Sequence, residues 1–163
     1  MPNLLIRALR PPDANWVRPW IADHWGAPFV VVHGATYAPD ALPGFAAFDN
    51  GQTVGLVTYT LADDACEIVT LDSETSGRGV GTALIAAVVG AARAAGCRRL
   101  WLITTNDNLD ALRFYQRRGF RLAALYPGAV EAARRLKPQI PLVGDHGIPI
   151  RDEIELEMPL AVP

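Results

Sequence analysis

The stretch that decides the fold is Ser76-Gly77-Arg78-Gly79-Val80-Gly81-Thr82-Ala83-Leu84-Ile85. It joins an apolar strand candidate at 68–71 to an apolar helix candidate that runs to about residue 95. Three glycines in five residues at this junction leave the amides of the first helical turn uncovered, and those N–H groups carry the positive end of the helix dipole. A phosphate binds readily at such a place. The stretch therefore predicts a phosphorylated ligand.

The glycines alone do not identify that ligand. A Walker-type phosphate loop ends in Gly-Lys-Ser/Thr, and this stretch contains no lysine. A dinucleotide fingerprint has the spacing G-x-G-x-x-G, whereas Gly77, Gly79 and Gly81 are spaced differently. A tight strand-to-helix turn that binds no ligand is a further reading.

Length and composition indicate one domain, which we expect to span residues 1–163. The chain is 50% hydrophobic and 20% charged, and its net charge of -2 gives no general attraction for nucleic acid or an anionic membrane. No apolar stretch has the length of a membrane span, and the first residues lack the pattern of a signal peptide. Cys66 and Cys97 are too few for a disulfide framework and are expected to be small core residues. We therefore expect a cytoplasmic protein.

The order of elements follows from hydrophobic periodicity. A strand at 3–10 precedes a helix for which Asp13 is a candidate cap, and Pro19 predicts a kink or a division of that helix. The stripe of tryptophans on this helix favours core packing. Strands are predicted at 29–33, 44–49, 54–59 and 66–72, with a hairpin turn at Asn50-Gly51.

After the glycine stretch the period changes to that of a helix, which Gly96 ends. A strand at 99–104, a helix at 109–118, an extended segment at 119–126, a helix at 129–136 and a last strand follow. That last strand alternates apolar and acidic residues, so one of its faces is expected to be exposed to water. Because a helix crosses over between the strands at 66–72 and 99–104, these two should be parallel. The expected fold class is α+β, with a mixed, mostly antiparallel central sheet and helices on both faces.

With this order of elements, the chain resembles the GNAT superfamily of acyl-CoA-dependent N-acyltransferases over residues 44–120. The glycine stretch is similar to that family's (Gln/Arg)-x-x-Gly-x-(Gly/Ala) pyrophosphate loop. A second motif is Asn108-x-x-Ala111-x-x-Phe114-Tyr115, closed by Gly119-Phe120. The family's leading Gln/Arg position is Ser76 here, and Arg78 is the candidate for the missing charge. Residues 127–163 are expected to be a variable C-terminal part.

The resemblance implies a cofactor, acetyl-CoA, and the residues that hold it. The pantetheine arm of coenzyme A would pair with the backbone near Leu71, where two strands of the sheet diverge, and Asn108 would hold that arm or orient the site. Tyr115 would lie near the thioester sulfur. The pyrophosphate would bind to the glycine stretch, whose residues are Ser76, Gly77, Arg78, Gly79, Val80, Gly81 and Thr82.

Two side chains are candidates for catalysis of acyl transfer. A free alkylamine is almost wholly protonated at pH 7, so it needs a base, and Glu67 lies on the strand that leads to the glycine stretch. Simple alternation places Glu67 on one face with Val69 and Leu71, unless a bulge changes the parity. A phenol stays neutral at pH 7 and can donate a proton to a departing thiolate, which makes Tyr115 the candidate acid. A solvated Glu67 and a core Tyr115 are the structural alternatives.

The predicted function is transfer of an acetyl group from acetyl-CoA to a primary amine on a small molecule or a peptide. The alternatives are a non-catalytic acyl-CoA-binding module and a nucleotide-binding protein of another type. Nucleic acid, membranes and metals are not expected as partners, and the sequence is compatible with a homodimer. The loop pair Asp145-His146 is a candidate substrate contact or a merely exposed segment. The basic run of Arg134, Arg135 and Lys137 recognises an acidic substrate or forms a solvated helix face.

Overall fold

The computed structural model describes residues 3–161. Its strands are connected by hairpins and by one helical crossover between parallel strands. In chain order the helices and strands are β1 Leu4–Ala8, α1 Ala14–Trp25, β2 Val30–Val32, β3 Ala35–Tyr37, β4 Gly44–Asp49, β5 Gln52–Ala62, β6 Ala65–Ser73, α2 Val80–Ala94, β7 Arg99–Thr105, α3 Leu109–Gln116, β8 Arg121–Tyr126, α4 Ala129–Leu136 and β9 Glu153–Pro159.

The main sheet has seven strands in the order β1-β4-β5-β6-β7-β9-β8. Its neighbours are antiparallel except for β6 and β7, which are parallel. Helix α2 connects these two strands, as a parallel pair requires. Asn50 and Gly51 both adopt positive φ, of 50° and 81°, in the hairpin turn between β4 and β5. The predicted fold class is confirmed.

Two apolar clusters cover the opposite faces of this sheet. Leu56 and Val57 are consecutive on β5 and fully buried, and they belong to different clusters because side chains alternate along a strand. Helices α2 and α3 pack in the cluster that contains Val57. Helix α1 and the β2–β3 hairpin pack in the cluster that contains Leu56. Helices therefore cover both faces, as predicted, and both cysteines are buried and free.

Helix α1 runs unbroken from Ala14 to Trp25 through Pro19, so the predicted division of the helix is wrong, and the kink stays a prediction. The carbonyl that the missing N–H would bond is that of Asn15, the second residue of the helix, so the ladder loses a bond only near its start. Asp13 precedes the helix but makes no side-chain capping bond. Its carboxylate instead accepts hydrogen bonds from the Arg7 guanidinium at 2.7 and 2.9 Å and from the Trp16 indole at 2.8 Å.

The sequence predicted a single strand at 29–33 and a loop from there to 44. The structure instead has the β2–β3 hairpin, whose second strand is at 35–37. Its two turn residues, His33 and Gly34, have φ of 50° and 79°. The pair His33-Gly34 is not one of the Asn-Gly or Asp-Gly pairs that mark such a turn in a sequence, so the turn carries only a weak sequence signal. The hairpin brings the side chains of His33 and Tyr37 over the sheet, where both contact carboxylates.

The last strand, β9, lies between β7 and β8 instead of at an edge of the sheet. Glu153 is buried, and the carboxylates of Glu155 and Glu157 both pair with the Arg99 guanidinium. The expectation that one face of this strand is exposed to water is therefore wrong, because neighbouring strands bring basic side chains over it. Within residues 3–161, no helix is long and apolar enough to cross a membrane.

Candidate active site

The central feature of the site is the point where the parallel strands β6 and β7 diverge. Their pairing ends at Ile68 and Leu102, although β6 continues to Ser73 and β7 to Thr105. A cavity of about 300 Å³ opens between the strands. Its lining consists of His24, Trp25, Ile68, Val69, Leu71, Asp72, Leu102, Ile103, Thr104, Asn108, Ala111 and Tyr115. Beyond the divergence, the edge of β6 that faces β7 offers unpaired backbone amides and carbonyls to a ligand.

A β-bulge at Val69 aims the side chains around this cavity. Thr58 on β5 pairs with Thr70, but the next residue, Tyr59, pairs with Ile68, so Val69 is the extra residue. Val69 packs in the cluster on the α1 face, whereas Leu71 packs against the cluster on the α2 face. The prediction that Leu71 shares a face with Val69 and Glu67 is therefore wrong, because the bulge reverses the alternation after residue 69.

Leu71 itself lines the cavity, while its backbone pairs with Val57 on the β5 side. The opposite edge of its backbone faces the gap between the strands. This is the position at which the sequence predicted pairing with an extended cofactor arm.

The glycine stretch forms a second cavity, of about 450 Å³, beside the first turn of α2. Gly77 and Gly79 both have positive φ, of 77° and 76°, which side chains rarely adopt. The first hydrogen bond of the helix runs from the Ala83 amide to the Gly79 carbonyl, so the amides of residues 80–82 have no partner in the helical ladder. These amides, the open turn and the positive end of the helix dipole suit a bound phosphate.

The charge near this turn comes from a residue that the sequence analysis did not single out. Ser76 lines the cavity, but Arg78 points away and lies 3.6 Å from a carboxylate oxygen of Asp49. Arg118 lines the cavity instead, and its Nε donates to the Thr82 hydroxyl at 2.9 Å. The sequence signal was available, since Arg118 stands three residues after Tyr115 in the second motif. Its approach to the turn, however, depends on how α3 packs against α2.

Gly81 allows that packing. A Cβ atom on Gly81 would lie 2.8 Å from Cζ of Phe114, closer than carbon atoms approach in a folded protein. The third glycine of the stretch therefore brings α3 close to α2, while the first two shape the turn.

Tyr115 lies at the inner end of the strand gap. It is 7% exposed, packs edge-on against Phe114 and Phe120, and lines the cavity together with Leu71. Burial raises the pKa of its phenol far above the ordinary value, and the Asp72 carboxylate adds to that shift. Tyr115 is thus both a core residue and part of the cavity wall, and it stays neutral at any physiological pH.

Asn108 caps helix α3. Its Oδ1 accepts a hydrogen bond of 3.1 Å from the Ala111 amide, and the residue lines the same cavity as Tyr115. The capping bond fixes the side chain, so its Nδ2 amide has a defined position for a ligand in the gap.

Glu67 lies one residue before the divergence, on the face of the sheet that the β2–β3 hairpin covers. It is only 6% exposed, so the reading of Glu67 as a solvated residue is wrong. The Tyr37 hydroxyl donates to its Oε2 at 3.1 Å. Burial raises the pKa of the Glu67 carboxyl, the Tyr37 hydrogen bond and nearby His33 oppose that shift, and Glu153 and Glu155 add to it. Glu67 is not part of the lining of the strand gap, so it would reach that gap through water.

Asp72 is a second carboxylate of the site that the sequence analysis did not select. It lines the strand gap and accepts hydrogen bonds from the Trp25 indole at 3.0 and 3.2 Å. Burial raises the pKa of the Asp72 carboxyl, whereas the Trp25 hydrogen bond and the nearby His24 oppose the rise. Trp25, the last tryptophan of the helical stripe, therefore belongs to the cavity wall, and the expected core packing is wrong for this residue because it is 37% exposed.

The basic run at the end of α4 is solvated only in part, because Arg135 is exposed whereas hydrogen bonds hold the other two side chains. Lys137 is 5% exposed, and its Nζ donates to the backbone carbonyls of Trp25 and Phe29 at 2.7 and 3.2 Å. Arg134 donates to the carbonyls of Pro141 and Ile150 at 2.8 and 2.7 Å. Lys137 therefore ties the end of α4 to the segment after α1, whereas the Arg134 bonds lie within the segment between β8 and β9.

The loop pair Asp145-His146 lies outside both cavities. The Asp145 amide donates to Asp107 at 3.0 Å, and the His146 ring lies 3.9 Å from Asp110. No contact of this pair with either cavity is present among the described residues, so its reading as a substrate contact gains no support.

Comparison with known proteins gives a consistent family. The family model described as "Acetyltransferase (GNAT) family" matches residues 10–120. The uncharacterized protein YdhI of Bacillus subtilis (strain 168) is 49% identical over 136 residues, which are 83% of this chain and 85% of YdhI.

Solved structures share the fold. An IAA acetyltransferase from Bacillus cereus ATCC 14579 has a TM-score of 0.73 and 20% identity, over 97% of this chain and 100% of that one. A GNAT family acetyltransferase from Elizabethkingia anophelis, with acetyl-CoA bound, has a TM-score of 0.69 and 20% identity, over 97% and 99% of the two chains. The family model covers most of the chain, including the diverging strands, the glycine turn and the helix that carries Tyr115. This chain is a member of the GNAT family of acetyltransferases.

Proposed function

We propose that this protein transfers the acetyl group of acetyl-CoA directly to a primary amine. Acetyl-CoA is the cosubstrate of the family, and it supplies an activated thioester. The observation that carries the proposal is the pair of cavities on β6 and α2. One is a strand gap lined by a buried tyrosine, and the other lies at a glycine turn whose free helix amides suit a phosphate. An elongated ligand with a phosphate at one end and a thioester at the other matches that arrangement.

The binding residues divide between the two cavities. Residues 76–82 would hold the pyrophosphate through backbone amides at the start of α2. The free edge of β6 at Leu71 would pair with the amide groups of the pantetheine arm, as an added strand does. Asn108 would direct its Nδ2 at that arm. An amide of β6 beyond the bulge is also placed to polarise the thioester carbonyl.

Tyr115 has the properties of the acid. In the transfer the amine nitrogen forms a bond to the carbonyl carbon, the bond from that carbon to sulfur breaks, and the sulfur takes a proton. The Tyr115 hydroxyl is neutral and buried, and the Asp72 carboxylate lies nearby. Burial also raises the proton affinity of sulfur, as at Cys66, where it raises the thiol pKa to about 12. The pKa of the Tyr115 hydroxyl and the pKa of the departing thiol are therefore both raised.

Glu67 is the proposed base. The acceptor must lose a proton before it attacks, and a carboxylate with a raised pKa is a better acceptor for that proton than an exposed one. Glu67 sits beneath the β2–β3 hairpin, where Tyr37, His33 and Glu153 surround it. The amine would approach from this side, with a water carrying the proton to Glu67.

A thiol-release assay tests the proposal. The protein is incubated with acetyl-CoA and a broad panel of primary amines while free thiol is measured. We expect thiol release with at least one amine, and a loss of about 100-fold or more in kcat for Tyr115→Phe with little change in cofactor affinity. Tyr59→Phe is the matched control, because Tyr59 is also buried but lies outside both cavities.

Two results would contradict the proposal. If the protein binds acetyl-CoA tightly and no amine releases thiol, it is a binding module and not an enzyme. If Tyr115→Phe acts at the wild-type rate, another group protonates the sulfur.

A further inference from the structure

The cavity at the glycine turn is lined by one charged residue among those that the structure describes. That residue is Arg118, which lies outside the turn. The turn itself supplies amides and hydroxyl groups. Ser76 stands at its first position, and Arg78 is paired with Asp49. A pyrophosphate carries two negative charges, which backbone amides neutralise only in part. A cation beside the turn would therefore strengthen binding.

Arg118 is held in place by three contacts. Its Nε donates to the Thr82 hydroxyl at 2.9 Å, and its NH1 donates to the Phe114 carbonyl at 2.8 Å. Its guanidinium carbon lies 3.6 Å from the centre of the Phe114 ring. Of the five guanidinium N–H bonds, these contacts use two, so three remain for a ligand or for water. The planar fork is thus oriented before any ligand binds, which reduces the entropy cost of binding.

The contact with Thr82 connects Arg118 to the helix start. Thr82 is the third residue of α2, and its amide is one of those without a partner in the helical ladder. The side chain of Arg118 therefore lies beside the amides that suit a phosphate. A guanidinium and a row of amides at one helix start can bind the oxygens of one anion together.

We propose that Arg118 binds the pyrophosphate of acetyl-CoA and replaces the charge that the turn lacks at position 76. This inference rests on the cosubstrate of the proposed function but not on the transfer step. Arg118 is accordingly a cofactor-positioning residue contributed by the turn that follows α3.

Binding titrations with three ligands test the assignment. Calorimetry measures the affinity of the full chain for coenzyme A, for 3′-dephospho-coenzyme A and for pantetheine. The variant Arg118→Gln should weaken binding of the first two by about 10- to 100-fold and leave pantetheine unchanged, because only the first two carry a pyrophosphate. Arg118→Lys keeps the charge but loses the fork, and it should weaken binding less than Arg118→Gln does.

Arg117→Gln is the matched control, since it removes the same charge from the neighbouring exposed residue. Its affinities should stay within about twofold of the wild type. Equal losses in the Arg117 and Arg118 variants would overturn the proposal in favour of a general effect of charge. A loss confined to coenzyme A would also overturn it, because Arg118 would then bind the 3′-phosphate.

Thermal unfolding of each variant keeps the result interpretable. A variant with the wild-type Tm and weaker binding supports the proposal, and full affinity in Arg118→Gln contradicts it. The two proposals also fail separately. If wild-type protein binds coenzyme A but acetylates no amine, the enzymatic proposal fails while the role of Arg118 is still decided by the titrations.

Discussion

Gly81 carries the most exact prediction, because the structure shows what a single methyl group would meet there. A Cβ atom at this position would lie 2.8 Å from Cζ and 3.1 Å from Cε2 of Phe114. Carbon atoms in contact lie about 3.5–4.0 Å apart. The Phe114 ring would have to move, and the Arg118 guanidinium stacks on that ring. The substitution Gly81→Ala should therefore disturb both the helix contact and the phosphate-binding cavity.

The size of the effect follows from two opposing terms. Overpacking costs about 1–3 kcal/mol in the free energy of unfolding. Replacing glycine by alanine in a helix returns up to about 1 kcal/mol. We expect Gly81→Ala to lower stability by about 1 kcal/mol, which corresponds to a fall of about 2–4 °C in Tm for a chain of this length.

Gly90 provides the matched control on the same helix. It is exposed, and a Cβ atom there would meet nothing within 4 Å. Gly90→Ala should raise stability by about 0.5–1 kcal/mol through helix propensity alone. Thermal and urea unfolding of both variants in one buffer measure the difference. If Gly81→Ala stabilises the protein as much as Gly90→Ala does, the contact with Phe114 is not tight and the reasoning is refuted.

Three further predictions concern buried charges. Burial raises the pKa of Glu67, so kcat/KM should rise with pH through a pKa above the ordinary glutamate value. The variant Glu67→Gln should lack this rise in kcat/KM. An unchanged pH profile would exclude Glu67 as the base. Lys137→Met leaves the carbonyls of Trp25 and Phe29 without their donor, and it should lower the free energy of unfolding in urea by about 2 kcal/mol or more. An unchanged free energy of unfolding would show that water replaces the ammonium. The Arg7 guanidinium holds the pKa of Asp13 well below its usual range, so the stability that Asp13→Asn loses at pH 7 should shrink progressively as pH falls below about 4 and vanish only below the much lower pKa of the folded state. A constant difference in Tm would contradict this.

Most of the fold could be predicted from the sequence because its signals are local. The glycine stretch, the Asn50-Gly51 turn and the change of hydrophobic period after residue 80 each act within a few residues. They yielded the meander, the crossover helix and the parallel pair of β6 and β7. The family resemblance added the place of the cofactor and the proposed roles of Tyr115 and Asn108.

The errors came from effects that no local pattern shows. The bulge at Val69 depends on the pairing of β6 with β5, so the parity of Leu71 could not be read along the strand. The acidic face of the last strand was expected to be exposed to water. Arg99 from β7, however, pairs with two of its carboxylates. The hairpin turn at His33-Gly34 lacks the Asn-Gly or Asp-Gly pair that marks such turns in a sequence.

The sequence by itself determined the class of fold and the glycine turn at the start of α2, because glycine spacing and periodicity constrain the backbone directly. Only the tertiary structure decided which charges serve the site. Arg78 lies within the turn but pairs with Asp49, while Arg118, 40 residues after Arg78, lies in the cavity. Side-chain charges act through space over a few ångströms, so their partners are set by the packing of α3 on α2 at Gly81 and not by their distance along the chain.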